Sequence, residues 1–260
     1  MNDTLISPEN IGSRIEAIYK ELDLNQNWSF LYNGAAAFAP CKIAFVGLNP
    51  GGSITNPSGI PYLYTPQLSA RNASYNAYLD AKDWSAGEKQ TPLQHQIQDL
   101  YRQLWRKLSE HSSYQNKDLG FEDFMRISPA INYIPFRSQN WNSLDNKNEI
   151  LAFCQKLWHD ILNIITPSVV LVMSEIVYSE LIKVYEKIGF ISEDIHYFPT
   201  GWGKTNYCVK TLRDDQNRNV TLAKCPHLSR YKLFNNVNPK YKKQREKFIN
   251  LLAKSILTAQ

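Results

Sequence analysis

Three apolar runs in this sequence each stop at a polar residue able to do chemistry. Cys41–Leu48 (CKIAFVGL) ends at Asn49-Pro50-Gly51-Gly52, and Phe124–Ile134 ends around Asn132 and Pro135. Asn219–Cys225 leads into Pro226-His227. An asparagine amide both donates and accepts hydrogen bonds, so it can hold a water or match the edge of a heterocycle. An imidazole can donate to an oxygen on which negative charge collects. Each residue also has a plainer reading: Asn49 and Asn132 as turn residues, His227 as a structural histidine. The five histidines are scattered with no pair at metal-ligand spacing, and the four cysteines contain no CxxC, so no metal site is expected.

These residues need a frame. Ser7 and Pro8 open a helix whose Ile11, Ile15, Ile18 and Leu22 form one apolar face. Cys41–Leu48 reads as a buried strand, and 53–91 as a long polar loop of weak periodicity, a kind that is often functional. Helical spacing returns at Leu93, Ile97, Leu100, Leu104 and Leu108. Phe124–Ile134 is expected to be a second strand, 148–165 a helix stopped by Pro167, and Val169–Met173 a third strand before a helix over 176–188. Tyr207–Leu212 and Asn219–Cys225 read as a hairpin, and Asn238-Pro239 as the start of a terminal helix. Apolar strands alternating with amphipathic helices predict one α/β domain with helices on both faces of a mostly parallel sheet. Ligands in such folds bind at the carboxyl ends of strands, where Asn49, Asn132 and His227 fall.

Composition narrows the classes. With 43% hydrophobic and 20% charged residues the chain can bury a core, which excludes a disordered or fibrous protein. It shows neither a run long enough for a membrane helix nor a signal-peptide pattern at MNDTLISPEN, and its cysteines fit reduced, buried thiols; an intracellular, cytoplasmic location is expected. The net charge of +5 is unevenly spread: residues 224–247 carry +7, which leaves −2 for all the rest. A basic window on a slightly acidic body is expected to face an anionic partner or to be the solvated face of a helix.

Five segments, in order, resemble the uracil-DNA glycosylase superfamily. VGLNPGG (Val46–Gly52) resembles its first motif, in the GxNPG form of the mismatch-specific and single-strand-selective branches. GIPYL (Gly59–Leu63) is similar to the segment bearing the base-stacking aromatic. INYIPF (Ile131–Phe136) resembles the base-reading strand end, TPSVVLVMS (Thr166–Ser174) the third strand, and PHLSRY (Pro226–Tyr231) the final HPS motif with its intercalating loop. Leu228 stands where that motif has proline, and Ser174 where the third strand is followed by glycine.

The resemblance implies a three-layer α/β/α sandwich around a four-stranded, mostly parallel sheet, with no cofactor. It implies that Asn49 orients a water and His227 stabilises the departing base. Tyr62 (or Tyr64) would stack on the flipped base, Asn132 would read its edge, and Gly47 and Gly51 would line its pocket. Gly52, Ser53, Ser229, Arg230, Tyr231 and Lys232 would contact DNA, with Lys240–Lys247 lengthening the footprint. The implied activity is monofunctional: a monomer flips uracil or a modified pyrimidine out of DNA and hydrolyses its N-glycosidic bond. The small residues Gly51-Gly52-Ser53 and the long 53–92 segment also admit a bulkier, 5-substituted pyrimidine such as occurs in phage DNA, which would make the protein a defence enzyme. Leu228 admits a third reading, a lesion binder whose catalytic loop has decayed. A phosphate cradle of a nucleotide enzyme ranks last, for want of a Walker lysine or GxGxxG spacing.

Overall fold

The computed structural model describes residues 8–24, 28–51, 74–82, 89–115, 119–235 and 238–258. Ser7 and much of the polar stretch 53–91 lie outside them. Helix α1 (Pro8–Glu21) buries Ile11 and Ile15, with Ile18 and Leu22 packed partly against the same core. Six strands follow along the chain: β1 (Ile43–Gly47), β2 (Ala130–Asn132), β3 (Val169–Val172), β4 (Ile191–Pro199), β5 (Asn206–Arg213) and β6 (Asn219–Lys224). The other helices are α2 (Ala77–Asp80), α3 (Pro92–Ser109), α4 (Ser112–Gln115), α5 (Phe121–Arg126), α6 (Lys147–Ile165), α7 (Glu175–Lys187) and α8 (Pro239–Thr258).

The strands form one sheet in the order β2-β1-β3-β6-β5-β4. The first four are mutually parallel, whereas β5 runs antiparallel to both β6 and β4. The sheet is therefore six-stranded and mixed, not four-stranded as expected. The two extra strands are a meander whose outer member, β4, reads ISEDIHYFP and exposes Ile191, Ile195 and Tyr197. Only Phe198 of its nine residues is buried, and Glu193 and Asp194 break the run, so β4 carries no buried alternation that could betray it.

Along β1 and β3 the side chains alternate between two cores. Ala44, Val46, Val170 and Val172 face α1, α6 and α7, while Ile43, Phe45, Val169 and Leu171 face α3, α5 and α8. Helices thus cover both faces, as near-continuous apolar strands require. Helix α3 starts at a capping box: Thr91 Oγ1 accepts from Gln94 N at 3.3 Å and Gln94 Oε1 from Thr91 N at 2.8 Å. Tyr78 on α2 packs edge-on against Phe45, so part of the predicted 53–91 loop is helix anchored to the core.

The expected strand over Phe124–Ile134 is corrected: its first residues form α5, and only Ala130–Asn132 pair as β2. Glu122 and Asp123 suit the start of a helix, where Asp123 accepts from Gly120 N at 2.8 Å. The last carbonyls of α5 find distant partners. Asn33, fully buried, donates to Met125 O and Arg126 O, and Asn76 donates to Met125 O at 2.9 Å. Among the described residues no helix is long and apolar enough to cross a membrane.

The carboxyl end of β2 is gripped from α6. Trp158 is buried, stacks on Tyr133 with centroids 5.5 Å apart, and donates from Nε1 to Tyr133 O at 2.9 Å. Replacing Trp158 by Phe keeps a ring but leaves that buried carbonyl without its donor. The expected loss is about 1–3 kcal/mol by urea unfolding; unchanged stability would contradict the grip.

Candidate functional site

The carboxyl ends of β1, β2, β3 and β6 share one edge of the sheet, because these strands are parallel. Gly47 pairs with Asn132, and the two chains keep bonding beyond that pair: Tyr133 N donates to Gly47 O and Ile134 N to Leu48 O, both at 2.8 Å. Ser138 N then donates to Pro50 O at 3.3 Å. The Asn49 turn is thereby zipped to the segment after β2. Within it Asn49 Nδ2 donates to Ser138 Oγ at 2.9 Å, Ser138 O at 3.1 Å and Pro50 O at 3.1 Å. The donor half of the amide is used up. Among the described residues Oδ1 has no hydrogen-bond partner, which leaves it to accept from a water.

Asn132 is buried and donates to Ser29 O at 2.9 Å. A Cβ built on Gly47 would lie 3.0 Å from Asn132 Oδ1, so the glycine makes room for this amide. A Cβ on Gly51 meets nothing within 4 Å among the described residues. Arg137, also buried, donates from Nη1 to Gly51 O and braces the turn from behind.

His227 stands beyond the end of β6. Since β6 is two strands from β1, the ends carrying His227 and Asn49 are separated by about 10 Å of sheet. The loop from His227 is pinned at both ends. Leu228 is fully buried, with its N–H 3.5 Å from Met173 Sδ, and Leu233 and Phe234 are buried in the same core. Phe234 N donates to Gln96 Oε1 at 2.8 Å, Gln103 donates to Phe234 O at 2.7 Å, and Arg245 to Leu233 O at 2.9 Å. Between the anchors Ser229, Arg230 and Lys232 are exposed and Tyr231 half-buried. Leu228 thus anchors the start of the loop by burial. Lys224 is paired with Glu175, and Arg245 is turned inward, so neither is a spare surface cation of the basic window.

The tautomer of His227 follows from its neighbours. Ser229 N lies 3.4 Å from Nδ1 and can only donate, and Ser229 Oγ lies 2.7 Å from the same nitrogen. Nδ1 is therefore the acceptor and the neutral ring carries its proton on Nε2. Desolvation by surrounding protein atoms, and then the Arg230 guanidinium, lower the imidazole pKa from its ordinary 6.5. Burial pushes the thiols of Cys41 and Cys225 up to about 12, so neither is a thiolate near neutral pH.

Asn49, Asn132, Gly47, Gly51 and the His227 loop thus converge on one edge. Tyr62, Tyr64, Gly52 and Ser53 lie outside the described residues. Reading the sequence missed Ser138, Arg137 and the Gln96–Phe234 anchor. The RS after INYIPF gave a faint signal for the first two; the third pairs residues 138 positions apart and gives none. A scan against known protein families finds no match for this chain, and neither does a search of curated proteins.

Two outcomes are expected. Leu228→Ala should cost about 2–5 kcal/mol in urea unfolding, a buried leucine's truncation, where a surface position would cost almost nothing. By NMR, His227 should titrate below 6.5, and Arg230→Gln should move it upward. Between the folded value and 6.5 the unfolded chain binds more protons, so this group stabilises the fold above that window, and the contribution is lost as pH falls through it. A midpoint at or above 6.5 would contradict the assignment.

Proposed function

We propose that the chain is a monofunctional DNA glycosylase of the uracil-DNA glycosylase superfamily, a monomer working inside the cell on DNA. Its substrate would be uracil or a modified pyrimidine. The observation that carries this reading is the pairing of Asn49, whose amide donors are consumed so that Oδ1 is left for a water, with His227, whose neutral ring keeps a proton on Nε2. The two stand on one sheet edge, roughly two strand spacings apart, a gap of the size that a nucleotide and a water need. The parallel run β2-β1-β3-β6 between helical layers is compatible with the glycosylase fold, to which the β4–β5 meander is an addition.

The chemistry follows from those two groups. As the C1′–N bond breaks, positive charge grows on the sugar and negative charge on the base. His227 Nε2–H donates to the base oxygen where that charge collects. Asn49 Oδ1 accepts a hydrogen bond from the water whose oxygen bonds to C1′. The water's proton passes to the departing base or to solvent, leaving an abasic sugar. An amide removes less charge from the water than a carboxylate would, so leaving-group stabilisation carries more of the rate. Asn132, with Oδ1 over Gly47, is the candidate reader of the base edge, and extrusion of the base costs a few kcal/mol. Arg230 and Tyr231 on the pinned loop would fill the vacated space.

A second reading rests on the small residues Gly51-Gly52-Ser53 after the motif: the pocket accepts a bulky 5-substituent and the enzyme excises hypermodified cytosine in defence against phage. The decayed lesion binder is weakened by Leu228: its burial keeps the His227 loop anchored. Single-turnover excision from DNA containing uracil, single-stranded and duplex, and from DNA containing glucosylated 5-hydroxymethylcytosine should separate these. Asn49→Ala and His227→Ala are each expected to lower the rate by about 10²–10³, with DNA affinity retained. Excision by both variants at the wild-type rate would overturn the proposal.

A further inference from the structure

The β4–β5 meander places an additional loop, Thr200–Thr205 (TGWGKT), on the same edge as the candidate site. The loop is rigid. Trp202 N donates to Thr200 Oγ1 at 3.0 Å, Thr205 Oγ1 donates to Trp202 O at 2.7 Å, and the two threonine hydroxyls are 2.6 Å apart. Gly201 has φ +90, and a Cβ there would come within 2.7 Å of the Tyr241 ring, so the backbone lies directly on the start of α8. Trp202 stacks on Tyr241 with centroids 5.6 Å apart, and meets Tyr231 of the His227 loop edge-on at 6.1 Å. One tryptophan therefore ties three chain segments together.

Beside this knot runs a stripe of positive charge. On α8, Tyr241, Arg245, Phe248 and Leu252 turn toward the core, and Lys240, Lys243 and Lys247 fall on the opposite, solvent side at helical spacing. Lys247 also reaches over the Phe198 ring of β4 at 4.7 Å, which keeps the stripe next to the meander. All three lysines are exposed, as are Lys204, Arg230 and Lys232 at the loop tips. Tyr241 stacks on one face of the Trp202 ring and Tyr231 meets the ring edge-on, so the exposed groups of this surface are mainly its cations.

We propose that the Trp202 knot welds the His227 loop and the Lys240–Lys243–Lys247 stripe into one continuous surface that holds the phosphodiester backbone of DNA flanking the target nucleotide. The identity of the partner rests on the glycosylase reading. At 1.5 Å rise per residue the stripe spans about 10 Å, room for roughly three phosphates of one strand. Contact of this kind is independent of sequence and strongly dependent on salt.

The test uses duplex DNA containing no target base, with affinity measured over a salt series. Neutralising Lys240, Lys243 and Lys247 together to Gln should weaken binding at low salt at least tenfold. It should also flatten the plot of log affinity against log salt by about 2.7, since each lost phosphate contact is worth about 0.9. Lys20, Lys156 and Lys187, exposed lysines on the layer across the sheet, changed together to Gln, remove the same charge and should leave the slope unchanged. Equal losses in both triple variants, or wild-type slope in the α8 variant, would overturn the proposal. A protein that releases no base yet shows the selective loss fails the glycosylase reading while keeping this surface, so the two failures are distinguishable.

Discussion

Past the last residues of β1 and β2, the two chains go on bonding: Tyr133 to Gly47, Ile134 to Leu48, Ser138 to Pro50. Backbone polar groups at a strand end usually turn to water or a loop, but here they extend the parallel ladder around a turn containing proline. Asn49 inherits its orientation from that extension, since both its Ser138 acceptors belong to the segment after β2. Without the zipper, Asn49-Pro50-Gly51 is an ordinary turn with a mobile amide. With it, one amide oxygen is aimed and the donors are spent.

The other half of the site is held by a different force. Hydrophobic burial fixes the His227 loop, through Leu228 at its start and Leu233 and Phe234 at its end. The tip between these anchors is short and polar. Such a loop has anchored ends while its tip exposes Ser229, Arg230 and Lys232. Ser229 sits two residues from His227 and sets the tautomer, so the donor on Nε2 is prepared before any ligand arrives. Directional bonds hold Asn49 on one side of the edge, and packing holds the start of the His227 loop on the other.

Where the pattern is local, the sequence was legible. The helices α3, α6, α7 and α8 and the strands β1, β3, β5 and β6 announce themselves through apolar spacing, and the strand-end residues Asn49, Asn132 and His227 fall on one edge of the sheet. Long-range satisfaction of polar groups was not legible. Phe124–Arg126 is helical because Asn33 and Asn76 cover its carbonyls from afar, and no local rule shows that. β4 escaped because it buries almost nothing. The basic window also looked more uniform than it is: Arg245 spends its charge inside, on Leu233 O, and Lys224 is tied to Glu175.

The proposal that this edge of the sheet cleaves a base from DNA meets its sharpest test in a mass-resolved release assay with DNAs carrying uracil, hypoxanthine, 5-hydroxymethyluracil or glucosylated 5-hydroxymethylcytosine, run beside Asn49→Ala. A base should appear in solution from at least one of these DNAs and be lost in the variant, which would also name the substrate class. No base released from any of them, with DNA still bound, would overturn the proposal and leave a protein that recognises DNA without cutting the glycosidic bond.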